Sequence, residues 1–77
     1  MINIHGKIDC IGLFCPMPIV KIREAIRALA IGEVIEMVAD DPAVEADMKS
    51  WARRTGNELL EISKSEAIFR FLVKRCR

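Results

Sequence analysis

Neither sign of charge dominates this chain. Twelve Lys and Arg against eleven Asp and Glu leave a formal net charge of +1, whereas a dedicated polyanion binder carries a strong basic excess. Aromatic residues are only 5% of the chain, and no exposed pair is evident on which bases could stack, so direct nucleic-acid binding is not expected. No apolar run approaches the ~18 residues of a membrane span. The opening Met1-Ile2-Asn3-Ile4-His5-Gly6-Lys7 has no basic start, apolar stretch or small-residue cleavage site. A signal peptide is therefore not expected, and the chain is placed in the cytoplasm. Histidine occurs once, at His5, and cysteine three times, at Cys10, Cys15 and Cys76. An odd count in a cytoplasmic protein does not make a disulfide framework. None of these residues falls at C-x2-C or H-x3-H spacing, so a metal site is not expected.

What remains is a small, apolar-rich chain. Its 77 residues, 52% of them hydrophobic, make a single domain over 1–77, near the lower size limit for stability by burial alone. Ile2, Ile4 and Ile8 at even positions predict a strand over residues 2–9. After the turn permitted by Gly12, Ile19, Ile22, Ile26 and Leu29 recur at helical spacing from Pro16 on. They predict an amphipathic helix of about fifteen residues, which Gly32 stops. Residues 33–39 are rich in β-branched and apolar side chains and predict a second strand. Asp40-Asp41-Pro42 predicts a helix start, with the carboxylate capping free N–H groups and Pro at the first helical position. Val44, Met48, Trp51 and Ala52 form the stripe of that helix, and Gly56 closes it. A third strand is expected over 57–63, a polar turn at Ser63-Lys64-Ser65-Glu66 and a fourth strand over 67–74. In that last strand Phe69, Phe71 and Val73 face one side, and Arg70, Leu72 and Lys74 a solvated side.

The order is β-α-β-α-β-β. Two helices on one face of a four-stranded sheet bury both stripes, giving an α/β (α+β) two-layer sandwich. The first crossover should be right-handed with parallel strands, and the last pair antiparallel, so the sheet is mixed.

Cys15 stands out because of the run Asp9-Cys10-Ile11-Gly12-Leu13-Phe14-Cys15-Pro16-Met17-Pro18. With Cys15 as N-cap, Pro16 takes N1, Met17 N2 and Pro18 N3. Pro18 has no N–H, which leaves the Met17 N–H as the local partner for the sulfur. The two prolines stiffen the turn, and the small Gly12 leaves room beside it. Unpaired N–H groups and the positive end of the helix dipole favour thiolate, so the pKa of Cys15 is expected to be lowered. Lys21 and Arg23, on the same helix, are further sources of positive potential. The competing reading is a cysteine that packs as a small hydrophobe.

Asp9, Gly12, Cys15, Pro16 and Pro18 stand at D-x-x-G-x-x-C-P-x-P spacing. Together with Gly32-Glu33 and Asp40-Asp41-Pro42 they resemble the TusA/SirA-type family of sulfur carriers over nearly the whole chain. The resemblance implies that Cys15 accepts sulfane sulfur as a persulfide and relays it to an acceptor protein, with no cofactor bound. A cysteine desulfurase or a rhodanese would be the donor. Met17 stands where the tRNA-thiolation carrier has an acidic residue. The resemblance therefore leaves tRNA thiolation, sulfur oxidation and related metabolism open as pathways.

The remaining candidates carry two readings each. Cys10 is a resolving thiol or, the preferred reading, a packing residue at a strand end. Asp9 bonds the turn that carries the sulfur or simply stabilises it. His5 is a base near Cys15 or, preferably, a solvated strand residue. Trp51 is read as core and Cys76 as exposed and incidental. Arg53, Arg54 and the tail Lys74-Arg75-Cys76-Arg77 are a solvated edge or a docking surface for acidic partners. Three functions stand side by side: a sulfur carrier, a non-catalytic regulatory or interaction domain that keeps the fold, and an RNA-binding sheet.

Overall fold

A computed structural model describes residues 3–77. Strand β1 is Gly6–Cys10, helix α1 is Met17–Arg27, strand β2 is Val34–Ala39, helix α2 is Val44–Thr55, strand β3 is Glu58–Ser65 and strand β4 is Ile68–Lys74. The sheet order is β1-β2-β4-β3. β1 pairs with β2 in parallel, and β4 runs antiparallel to both β2 and β3. This is the expected mixed sheet, with both helices contributing to one core.

That core is built where the two helical stripes meet one face of the sheet. Ile22 and Ile26 from α1, and Val44, Met48, Trp51 and Ala52 from α2, join Ile35, Met37 and Ala39 of β2 and Phe69, Phe71 and Val73 of β4. Fully burying an aliphatic side chain of this size stabilises by roughly 1.5–3 kcal/mol. Trp51 is core as expected, although its Nε1–H finds no acceptor among the described residues. On β3, Leu59 and Ile62 both pack toward this core although their numbers differ in parity. A bulge between Leu59 and Glu61 makes this possible, because an extra residue shifts the alternation by one.

Several boundaries differ from those predicted. The first strand starts at Gly6, not residue 2, because Gly6 already faces Ile35 and β2 begins only one residue earlier. His5 lies outside the strand: its N–H donates to the Val34 carbonyl at 2.7 Å and its Nδ1 accepts the Val34 N–H at 3.2 Å. Ile2 lies outside the described residues. Helix α1 has 11 residues, fewer than expected. Its last turn tightens through Ala28 N–H to Ala25 O and Leu29 N–H to Ile26 O. The Glu33 carboxylate then takes the Ala30 N–H at 2.7 Å. β3 continues through Ser65, so the link to β4 is only Glu66 and Ala67, with Glu66 at φ 56°.

The open face is also more ordered than a simple solvated face. Lys7, Glu36, Leu72 and Glu61 form one row across all four strands. Arg70 reaches Glu36 on β2 and Glu61 on β3, and Lys7 adds a contact to Glu36 at 3.6 Å. Leu72, expected to face solvent, is buried. The Arg70 hydrogen bond holds the Glu36 carboxyl below its ordinary value against a smaller opposing push from burial, and the charges of Arg70 and Lys7 add to the lowering. Among the described residues no helix is long and apolar enough to cross a membrane.

Candidate functional site

The C-terminal ends of β1 and β2, the β3–β4 turn and the start of both helices lie at one end of the sheet. The segment Ile11–Pro16 joins β1 to α1 there. Its conformation is fixed by carboxylates that each take a backbone N–H. Asp9 Oδ1 accepts from Ile11 at 2.9 Å. Asp40 Oδ1 accepts from Gly12 at 2.8 Å, and Asp41 Oδ2 accepts from Cys15 at 2.8 Å. Asp41 is 9% exposed, and its second oxygen takes the Ala43 N–H at 3.1 Å. One carboxylate thus fixes the Cys15 peptide and the turn entering α2; contrary to expectation that turn precedes the helix, whose N-cap is Ala43 with no side-chain cap, so Pro42 is not the first helical residue. Gly12 has φ 82°, a left-handed conformation in which a side chain is strained.

Cys15 itself is exposed, so the sulfur is presented rather than packed. Its local geometry corrects the predicted cap. Pro16, not Cys15, is the N-cap of α1, and the Cys15–Pro16 peptide bond is cis. The Met17 N–H expected to face the sulfur donates to Phe14 O at 2.8 Å. The Pro16 carbonyl accepts from Ile19 and Val20, both at 3.1 Å. Pro18 is buried on the inner side of the helix, so the two prolines of the motif split between an exposed cap and a packing contact.

The electrostatics reverse the expected direction. The Asp47 carboxylate, in the first turn of α2, pushes the Cys15 thiol above its ordinary value. Partial desolvation and the charges of Asp47 and Asp41 add in the same direction. Expectation failed here because the helix dipole was weighed without α2, whose acidic first turn faces the sulfur. Lys21 acts on Cys10, not on Cys15: burial pushes the Cys10 thiol up, Asp9 adds to it, and Lys21 opposes.

Cys10 is fully buried at the end of β1, in keeping with a packing role. Cys76 is half-buried rather than exposed, with Sγ at 3.7 Å from the Lys74 carbonyl. His5 lies at the far end of β1, 3.7 Å from Glu33, and cannot serve Cys15 as a base. The basic tail is also at that far end. The Arg75 guanidinium donates to the carbonyls of Leu29 and Arg27 behind α1, and Asn57 Oδ1 accepts the Cys76 N–H at 2.9 Å.

The sequence reading missed the rim of the site. Ile11 (41% exposed), Phe14 (70%) and Met17 (41%) are large apolar side chains left in solvent beside Cys15. Ile68, 46% exposed, stands on the β3–β4 hairpin at the same end. Phe14 carried a usable signal, since it is a bulky apolar residue in a turn that has no periodicity to bury it. Asp47 carried a weaker one, an acid in the first helical turn beside the buried Met48. A shallow cavity of about 150 Å³ lined by Asp40, Pro42, Lys64, Ala67 and Phe69 adjoins this end.

Comparison with known proteins bears on the family and the fold. The family described as Sulfurtransferase TusA matches residues 6–75. A protein of Archaeoglobus fulgidus named "Putative sulfur carrier protein" is 45% identical over 69 residues, covering 88% of this chain and 90% of that protein. The sulfur carrier protein TusA of Allochromatium vinosum is 35% identical over 75 residues, covering 97% of this chain and 99% of that one. The crystal structure of a SirA-like protein from Desulfitobacterium hafniense superposes with a TM-score of 0.80 at 20% identity, covering 94% of this chain and 99% of that one. Its likeness shows the fold. With matches of this extent to proteins named as sulfur carriers, the chain belongs to the TusA sulfurtransferase family.

Proposed function

We propose that this protein carries sulfane sulfur as a persulfide on Cys15 and relays it, in the cytoplasm, from a cysteine desulfurase or rhodanese to an acceptor protein. The observation that carries this reading is the exposed Cys15, held on a loop pinned by Asp9, Asp40 and Asp41, with solvent-facing Ile11, Phe14 and Met17 in the same stretch of chain. Gly12 and Pro16 shape that loop, Pro18 anchors the helix behind it, and Met17 belongs to the rim.

The chemistry is sulfur exchange. The Cys15 sulfur attacks the outer sulfur of a donor persulfide, and the S–S bond of the donor breaks. The donor cysteine leaves with the electron pair of that bond and takes up the proton lost from Cys15, while Cys15 becomes Cys15–S–SH. Attack by an acceptor thiol on the terminal sulfur reverses the roles. No external oxidant or reductant enters. Incubation with a loaded donor should add a single sulfur mass to the peptide holding Cys15. Cys15→Ser should abolish this addition, and Cys10→Ser should leave it intact. Sulfur uptake by Cys15→Ser at the parent rate would refute the assignment.

A further inference from the structure

We infer that Arg75, Cys76 and Arg77 form a strap that ties the C-terminal ends of both helices together, that this strap opens as one unit, and that its closure limits access to the Cys76 thiol. The strap goes beyond the carrier reading and does not depend on it. On that reading, a closed strap confines sulfur loading to one cysteine.

An α-helix leaves its last four carbonyls without partners inside the helix, and a cation there meets the negative end of the dipole. At α1 the cation comes from the far end of the chain. The Arg75 guanidinium donates to the carbonyls of Leu29 and Arg27, the latter at 3.4 Å, and its Nε donates to the Arg77 carbonyl at 2.8 Å. The Arg75 backbone is held on the same side: its N–H donates to Glu33 O at 2.9 Å, and its carbonyl accepts the Gly32 N–H at 2.7 Å. Arg75 is therefore committed to the end of α1 rather than left free for an acidic partner.

At α2 the contact is Asn57. Its Nδ2 donates to Thr55 Oγ1 at 3.2 Å, and Thr55 Oγ1 donates to the Trp51 carbonyl at 2.9 Å. This turns Asn57 Oδ1 toward the tail, where it accepts the N–H of Cys76 at 2.9 Å and that of Arg77 at 3.4 Å. The Arg77 side chain lies on Gly56, the left-handed C-cap of α2, where a Cβ would stand 2.8 Å from Arg77 Nε. Three consecutive residues thus reach both helix ends.

None of the three adds a side chain to the apolar core. A segment held by partly exposed hydrogen bonds with little apolar burial opens at lower free energy than the core does. The Arg75 backbone lies between the α1 contacts and the Asn57 contacts, so loss of either set loosens the other. Cys76 sits inside this segment, half-buried, with Sγ 3.7 Å from the Lys74 carbonyl. Reagents should reach it chiefly from the open form. The Cys15 loop is fixed elsewhere, by Asp9, Asp40 and Asp41, and opening of the strap leaves those bonds in place.

The test is native-state hydrogen exchange of the full chain by NMR, with each rate divided by that of the interior β4 amide of Phe71 to remove global destabilisation. Asn57→Ala removes the acceptor at α2. It should speed exchange at Cys76 and, by about fivefold or more, also at Gly32, whose amide Asn57 does not touch. Arg75→Met removes the contacts at α1 and should speed exchange at the Cys76 amide, which the guanidinium does not touch. Both variants should raise the rate of Cys76 alkylation by iodoacetamide by a similar factor and leave that of Cys15 unchanged, scored by peptide mass spectrometry. If Asn57→Ala does not fold, Arg75→Met carries the test alone. Acceleration at Cys76 and Arg77 in Asn57→Ala with Gly32 unchanged, or an unchanged Cys76 amide in Arg75→Met, overturns the inference, because the two helix ends would then be held independently. The carrier reading fails separately, through absence of a sulfur adduct on the parent Cys15 after exposure to a persulfide donor.

Discussion

Replacing Asp41 with alanine should loosen two parts of the molecule at once. Asp41 Oδ2 accepts the Cys15 N–H at 2.8 Å, and Oδ1 accepts the Ala43 N–H at 3.1 Å. A hydrogen bond to a charged group contributes about 1.5–3 kcal/mol, and the longer bond within the turn before α2 is nearer the ~1 kcal/mol of an ordinary one. The two losses share one side chain and water replaces part of each, so a total of about 2–4 kcal/mol is expected. A domain of this length holds only about 4–12 kcal/mol, so at the middle of both ranges the urea midpoint should fall by about a third. Asp41→Asn keeps one acceptor oxygen and should lose about half as much. Urea denaturation of parent and both variants, with the m-value checked for constancy, measures the difference. Hydrogen exchange at the Cys15 amide should accelerate in the alanine variant beyond the change explained by global stability. A midpoint within about 0.5 kcal/mol of the parent, with an unaltered Cys15 amide, would refute the claim that this carboxylate fixes the loop.

Arg70→Met should change how stability responds to acid. Arg70 lowers the folded-state pKa of Glu36, so this pair stabilises the protein above the unfolded carboxyl value of about 4.3 and the gain is lost as pH falls through the lower folded value. Urea midpoints between pH 7 and pH 3 should drop less steeply in the variant than in the parent. Phe14→Ser removes a side chain that is 70% exposed. Stability should stay within about 0.5 kcal/mol of the parent, whereas sulfur transfer from a protein donor should slow and alkylation by a small reagent should not.

The fold was legible because each element carries its own period. The helical spacing of Ile22, Ile26, Val44, Met48 and Trp51 survives intact in the core, and the alternation of Phe69, Phe71 and Val73 places β4. Boundaries were less legible because they depend on partners distant in sequence. Gly6 begins β1 because β2 has only Val34 beyond the Ile35 that Gly6 faces, and β3 runs to Ser65 because β4 continues to pair with it. The solvent-facing assignment of Leu72 failed because the strand pattern does not reveal the row of Glu36 and Glu61 flanking it. At the site, the motif located the sulfur but not its surroundings. The local cap geometry, taken alone, points to a stabilised thiolate. Asp47, far downstream in the chain, pushes in the opposite direction, and only the folded chain brings its charge to bear on the thiol.

Two of the three carboxylates that shape the cysteine turn come from 26 and 28 positions along the chain. A synthetic peptide copying residues 9–18 would carry the motif with Asp9 alone and would sample many shapes. Grafting this chemistry onto another scaffold therefore means transplanting both junctions, the stretch after the first strand and the one after the second, at their mutual spacing. The reactive unit is a pair of loops locked to each other, and its assembly is a late reward of folding rather than a local property of four residues.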